Sequence, residues 1–163
     1  TGSRSKFGLS VPELVRLVRE LERRGYRDSL ALLHFHIGSQ IADIQVLKRA
    51  IKEITQIYAS LKKRGIGIRY IDCGGGLGVS YGAGHARTES GVNYGLQEYA
   101  NAVVFAIKEV CDDQEVPTPV IVTESGRALT AHHSVLLVPV LEGSRRNGHE
   151  AVELPAEPHQ AVE

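Results

Sequence analysis

The chain has 163 residues, a length that suits one globular domain. Its 19 Lys and Arg balance 19 Asp and Glu, so charge gives no reason to expect a nucleic acid or a membrane surface as partner. Cys73 and Cys111 are far apart and form no metal-like pair, which favours a reducing, cytoplasmic compartment over a disulfide scaffold. The absence of methionine predicts a segment of a longer protein.

Apolar residues at helical spacing predict three amphipathic helices, at residues 10–24, 44–61 and 96–110. Ser10 followed by Glu13 forms a capping-box pattern at the start of the first helix. Gly25 and Gly65 are typical of the residues that end helices, because glycine readily adopts the left-handed conformation.

Four short apolar runs predict strands, and we expect the first to be buried on both faces: Leu30–Ile37, Ile66–Cys73, Val120–Thr123 and Val135–Leu141. Because helices and strands alternate, the sequence predicts an α/β fold with a parallel sheet. Residues 1–142 form the predicted domain. Residues 143–163 are polar and lack an apolar period, which predicts a linker or a disordered tail.

Polar, glycine-containing sequences follow three of the predicted strands, and ligands in parallel α/β folds gather at that end of the strands. In the second, the run Gly74–Gly76 lets the backbone approach a ligand and direct several N–H groups at an anion such as phosphate. A tight turn without a ligand is the alternative. The dinucleotide fingerprint fails, because Val79 takes the place of its third glycine.

Glu124 and Arg127 place a carboxylate and a guanidinium together after the third predicted strand. The guanidinium can pair with a phosphate through two hydrogen bonds, and the carboxylate can hold a protonated ring nitrogen. A salt bridge between the two side chains is the alternative.

His34 and His36 share one face of the first predicted strand. His36 lies nearer the functional end, where an imidazole can stack on a ring, whereas His34 is typical of a satisfied core histidine. No third ligand is evident, so the pair does not predict a metal site. We expect Asp72 to anchor the glycine loop, and His132 and His133 to be structural or supporting.

These motifs, in this order, resemble the barrel domain of alanine-racemase-like decarboxylases that use pyridoxal phosphate (PLP): His36-Ile37-Gly38-Ser39, Gly74-Gly75-Gly76 and Glu124-x-Gly126-Arg127. The resemblance covers roughly residues 5 to 142. Longer stretches resemble the arginine decarboxylase branch of that family: 33–40, 92–101 and 123–133.

The resemblance implies part of a (β/α)8 TIM-type barrel that binds PLP. It implies that His36 stacks on the pyridine ring and Glu124 pairs with the ring nitrogen, both as catalytic residues. It implies a phosphate site made of Ser39, Gly74, Gly75, Gly76, Gly126 and Arg127. It also allows Mg as a further cofactor.

The implied reaction converts L-arginine to agmatine and CO2 in polyamine biosynthesis, in a homodimer or higher homo-oligomer. Ornithine, lysine or diaminopimelate decarboxylase, or a catalytically inactive regulatory homologue, are the alternatives. In this family the lysine that binds PLP covalently lies upstream of Thr1, and a later catalytic cysteine lies beyond this chain. We therefore expect the chain by itself to be inactive.

Overall fold

The computed structural model describes residues 7–81, 91–134 and 136–139. Helices and strands alternate in the order α1 Val11–Arg24, β1 Leu32–His34, α2 Ile44–Lys63, β2 Tyr70–Asp72, α3 Leu96–Asp113, β3 Val120–Val122 and α4 Gly126–Thr130. A short 3₁₀ turn, Arg27–Ser29, joins α1 to β1.

The three strands form a parallel sheet in the order β1-β2-β3. In the register, Leu33 lies beside Ile71, and Ile71 lies beside Ile121. Each crossover between neighbouring strands contains a helix, as parallel pairing requires. The predicted α/β fold with a parallel sheet is confirmed.

One face of the sheet carries the core. Leu33 and Ile71 pack there with apolar side chains of α2 and α3, among them Leu47, Ile51, Tyr58, Tyr99, Val103 and Ile107. The Tyr58 hydroxyl donates a 2.9 Å hydrogen bond to the Pro117 carbonyl, which ties α2 to the segment before β3. Burial of these side chains holds the two helices against the sheet.

The opposite face of the sheet is open. Leu32, Val120 and Val122 are exposed there, and β1 alternates exposed, buried, exposed. The expectation that the first strand is buried on both faces is therefore wrong for the described residues, because helices cover one face alone.

Apolar runs overstate the strands, each of which has three residues. Ile66 and Ile68 are buried without belonging to a strand, since burial and ladder pairing are separate requirements. The predicted strand Val135–Leu141 is wrong over residues 136–139, which are exposed and form no strand; its other residues lie outside the described part. An apolar run without a neighbouring strand cannot form a ladder.

The helix ends follow the predicted signals. At the start of α1 the Glu13 carboxylate accepts hydrogen bonds from the Ser10 N–H, at 2.8 Å, and the Ser10 hydroxyl, at 2.6 Å. Gly25 and Gly65 have φ angles of 78° and 75°, the left-handed conformation that ends a helix. The sequence missed α4, a five-residue helix too short to show an apolar period.

Contacts along the chain define two units, Thr1–His133 and Ser134–Glu163. Within the second, Ser134 and residues 136–139 are exposed and form neither helix nor strand. The boundary at residue 142 stays a prediction, and the predicted tail, 143–163, lies outside the described residues. No helix among the described residues is long and apolar enough to cross a membrane.

Candidate functional site

The three strand ends meet through backbone hydrogen bonds. The Phe35 N–H donates to the Asp72 carbonyl at 3.2 Å, and the Cys73 N–H donates to the Val122 carbonyl at 2.9 Å. The Glu124 N–H then donates to the Gly74 carbonyl at 2.9 Å. The glycine run therefore lies between the end of β1 and the end of β3.

Each glycine of the run is required by close packing. A Cβ on Gly74 would overlap the Phe35 carbonyl oxygen, and a Cβ on Gly76 would overlap that of Gly38; both glycines also have positive φ angles, 64° and 102°. A Cβ on Gly75 would lie 2.8 Å from the Glu124 carbonyl oxygen. Larger residues would push the strand ends apart.

The run also carries unused hydrogen-bond donors. The Gly74 N–H donates to a carboxylate oxygen of Asp72 at 2.9 Å, which confirms Asp72 as the anchor of the loop. Among the described residues, the N–H groups of Gly75 and Gly76 and the hydroxyl of Ser39 have no hydrogen-bond acceptor. These donors are available to an anion.

Arg127 lies in the first turn of α4. Its guanidinium donates a 3.0 Å hydrogen bond to the Tyr81 hydroxyl, and the Tyr81 ring lies 5.8 Å from the His132 ring, centroid to centroid. Glu124 and Arg127 form no ion pair with each other, so the alternative of a mutual salt bridge is wrong. The role of Tyr81 could not be predicted from the sequence, because nothing in its spacing relates it to Arg127.

A second cluster lies on the open face of the sheet. His34 Nδ1 is 2.9 Å from Asp72 Oδ2, and one ligand atom each of His34, Asp72 and Glu124 lie within 4.8 Å of one another. His34 is half exposed, so the expectation of a core histidine is wrong, although its ring is hydrogen-bonded. The open second face of the sheet accounts for the exposure.

His36 lies against the glycine run. Its Nδ1 would be 3.3 Å from a Cβ on Gly74, and its Cε1 would be 3.9 Å from a Cβ on Gly75. The side chain is exposed, and it has no hydrogen-bond partner among the described residues. An exposed imidazole beside available N–H donors is suited to contact a flat ligand.

Both cysteines are buried and free of disulfides. Burial, and to a lesser extent the neighbouring Asp72, raises the pKa of the Cys73 thiol to about 11. Burial also raises the pKa of Cys111. Since the thiolate is the nucleophilic form, neither residue is suited to thiol catalysis at neutral pH.

Residues 1–131 match the family described as pyridoxal-dependent decarboxylase, pyridoxal binding domain. The chain belongs to this family. It is 48% identical over 156 residues to the biosynthetic arginine decarboxylase of Proteus mirabilis, covering 96% of this chain and 24% of that protein. The chain thus spans about a quarter of the length of this curated relative.

Solved structures of decarboxylases also resemble this chain. The crystal structure of the biosynthetic arginine decarboxylase of Campylobacter jejuni matches with a TM-score of 0.70 and 41% identity, over 76% of this chain and 21% of that one. Diaminopimelate decarboxylase of Helicobacter pylori, complexed with L-lysine, matches with a TM-score of 0.61 and 28% identity, over 77% of this chain and 28% of that one. Both contain a TIM-barrel domain, which confirms the expected partial (β/α)8 barrel.

The residues present fit PLP, the cofactor of the family. The free N–H groups of Gly75 and Gly76 and the guanidinium of Arg127 are donors suited to a phosphate dianion. The Glu124 carboxylate is suited to a protonated pyridine nitrogen. The glycines leave the donors uncovered, where any side chain would be forced against a neighbouring strand end.

Proposed function

We propose that this chain is the cofactor-binding part of a decarboxylase that converts L-arginine to agmatine and CO2 in polyamine biosynthesis. One observation carries the proposal: the Glu124 backbone is hydrogen-bonded to the glycine run at one edge of the sheet, with Arg127 in the helix α4 that follows, in a chain of the pyridoxal-binding family. The arginine decarboxylases of Proteus mirabilis and Campylobacter jejuni support the choice of substrate.

In this proposal the phosphate binds to the N–H groups of Gly75 and Gly76, the Ser39 hydroxyl and the start of α4 at Gly126. Backbone donors suit this role, because they are fixed before the anion arrives. Gly74 contributes by setting the course of the run. Arg127 adds a positive charge, and the Tyr81 hydroxyl that accepts its hydrogen bond restricts where the guanidinium points.

We propose that Glu124 and His36 bind the pyridine ring of PLP. The Glu124 carboxylate would hold a proton on the pyridine nitrogen, and the His36 imidazole would contact the ring face. When bound, PLP supplies an electron sink for the electron pair left as CO2 departs, and a protonated nitrogen strengthens that sink.

Release of CO2 by the whole protein, supplied with PLP, tests the proposal. L-arginine, L-ornithine, L-lysine and diaminopimelate are compared at equal concentration. We expect L-arginine to have the highest kcat/KM, with agmatine as product. Preference for another of these amino acids would favour a related decarboxylase instead. The structural similarity to diaminopimelate decarboxylase of Helicobacter pylori is the reason for including these substrates.

An inactive regulatory homologue is the remaining alternative. It would bind PLP through the same donors yet release no CO2 from any amino acid tested. The residues that separate the two are the lysine that binds PLP covalently and the later catalytic cysteine, both expected outside this chain. Their presence in the whole protein would favour the enzyme.

The proposal also covers the oligomeric state of the whole protein, its cellular compartment and a metal cofactor. We propose a homodimer or higher homo-oligomer in the cytoplasm, acting on a small molecule rather than on nucleic acid or membrane. Two buried, unpaired cysteines support a reducing compartment. Mg as a further cofactor rests on the family resemblance alone.

A further inference from the structure

Asp72 connects two parts of the site. Its Oδ1 accepts a hydrogen bond from the Gly74 N–H at 2.9 Å, and its Oδ2 lies 2.9 Å from His34 Nδ1. One carboxylate therefore joins the glycine run to the end of β1. The parallel register makes the second contact possible, because it places His34 directly beside Asp72 on the open face of the sheet.

Asp72 is a buried carboxylate, with 8% of its surface exposed. Such a group is costly unless its oxygens are satisfied. The Gly74 N–H satisfies one oxygen, and His34 is the side chain that satisfies the other among the described residues. Loss of the His34 contact would leave an oxygen unpaired and free the carboxylate to turn away from the glycine run.

Glu124 lies in the same cluster, within 4.8 Å of the ligand atoms of His34 and Asp72. Two carboxylates at this separation repel each other, so a side chain that fixes the direction of one carboxylate also affects where the other can lie. His34 thus contacts the residue that shapes the phosphate loop and approaches the residue proposed to hold the ring nitrogen.

We propose that His34 and Asp72 are positioning residues, which act as a pair to fix the glycine run and Glu124 for PLP binding. The inference rests on the proposed function and adds two residues to it. Neither side chain need touch the reacting atoms. Their effect passes through the Gly74 N–H and through the orientation of Glu124.

Two nearly isosteric replacements of His34 separate hydrogen bonding from packing. His34→Asn keeps an N–H donor close to the position of Nδ1, whereas His34→Leu fills similar space without a donor. We expect His34→Leu to weaken PLP binding about tenfold and His34→Asn to stay within about threefold of the unsubstituted protein, as for a hydrogen bond to a charged group. The readout is titration of the apoprotein with PLP, followed by visible absorbance.

Asp72→Asn tests the proposal independently of His34. It removes the charge and one acceptor, and we expect about a tenfold loss of PLP affinity. In the double variant H34L/D72N the loss should be no larger than in the worse single variant, because each change breaks the same link. Lys52→Gln, which removes an exposed 2.8 Å ion pair with Glu109 on the outer helices, is the control and should leave affinity unchanged.

The outcomes separate the two proposals. If the unsubstituted protein binds no PLP, the proposed function fails and this inference fails with it. If it binds PLP normally but His34→Leu equals His34→Asn, or the two single losses add in the double variant, the positioning pair alone is overturned. PLP binding that depends on Mg²⁺ and is lost with a chelator, with the metal dependence abolished by His34→Leu, would also overturn the pair in favour of a cation between the side chains.

Discussion

The Glu124 N–H donates a 2.9 Å hydrogen bond to the Gly74 carbonyl oxygen. This bond fixes the proposed ring-binding residue to the proposed phosphate loop, although the two come from different strand ends. A disturbance of either partner should therefore affect both halves of the cofactor site.

Gly75 tests how tightly these strand ends pack. We expect Gly75→Ala to destabilise the whole protein by about 1–3 kcal/mol, because the added methyl group would lie 2.8 Å from the Glu124 carbonyl oxygen and the neighbours are well packed. Urea unfolding measures the loss. Gly126→Ala, compared in the absence of PLP, is the control: its Cβ would meet no atom within 4 Å, and equal losses in the two variants would contradict the packing argument.

Arg127 tests the phosphate site. Removal of its guanidinium in Arg127→Ala should weaken PLP binding by about 1.5–3 kcal/mol, as for a charged hydrogen bond. Tyr81→Phe removes the hydroxyl that accepts from Arg127 and keeps the ring near His132, so its effect should be smaller. Titration of the apoprotein with PLP measures both. Unchanged affinity in Arg127→Ala would exclude a phosphate contact.

Glu124 tests the ring site. We expect Glu124→Gln to reduce kcat for decarboxylation far more than PLP affinity, because the neutral amide no longer favours a protonated ring nitrogen while the phosphate contacts remain. Steady-state CO2 release and PLP titration give the two quantities. Glu109→Gln, on the outer helical surface, serves as control. Equal losses of kcat and affinity would argue against this role.

Cys73 should make the free energy of unfolding depend on pH in the alkaline range. Burial raises the pKa of its thiol from an ordinary value near 9 to about 11. The folded protein thus retains the proton longer than the unfolded chain, so this contribution to stability is complete below pH 9 and is lost as the pH rises toward 11.

The corresponding free energy is about 2–3 kcal/mol, at roughly 1.4 kcal/mol per pKa unit. Urea unfolding of the whole protein at pH values from about 8 to 11, where thiols lose their protons, measures this change in the free energy of unfolding. Cys73→Ala should lower stability at about pH 8 and flatten this dependence, so that the difference between the two proteins narrows as the pH rises. A dependence as steep as that of the unsubstituted protein would show that other groups, such as Tyr99, whose pKa burial raises to about 12, dominate.

Local sequence determined the helices and the general place of the site. The α1 boundaries follow from Ser10, Glu13 and Gly25, because capping depends on residues adjacent in the chain. The alternation of helices and apolar runs predicted a parallel sheet, and parallel strands necessarily bring their carboxyl ends to one edge. The sequence thus predicts that the glycine run, Glu124 and Arg127 share one site.

Tertiary structure alone decided which side chains meet. His34 and Asp72 are 38 residues apart, and Tyr81 and Arg127 are 46 apart. Their contacts depend on strand register and loop course, neither of which a single sequence specifies. The short strands and the open face of the sheet are also visible in the tertiary structure alone. An apolar run indicates that its side chains are buried, but it does not specify which strand or helix packs against them.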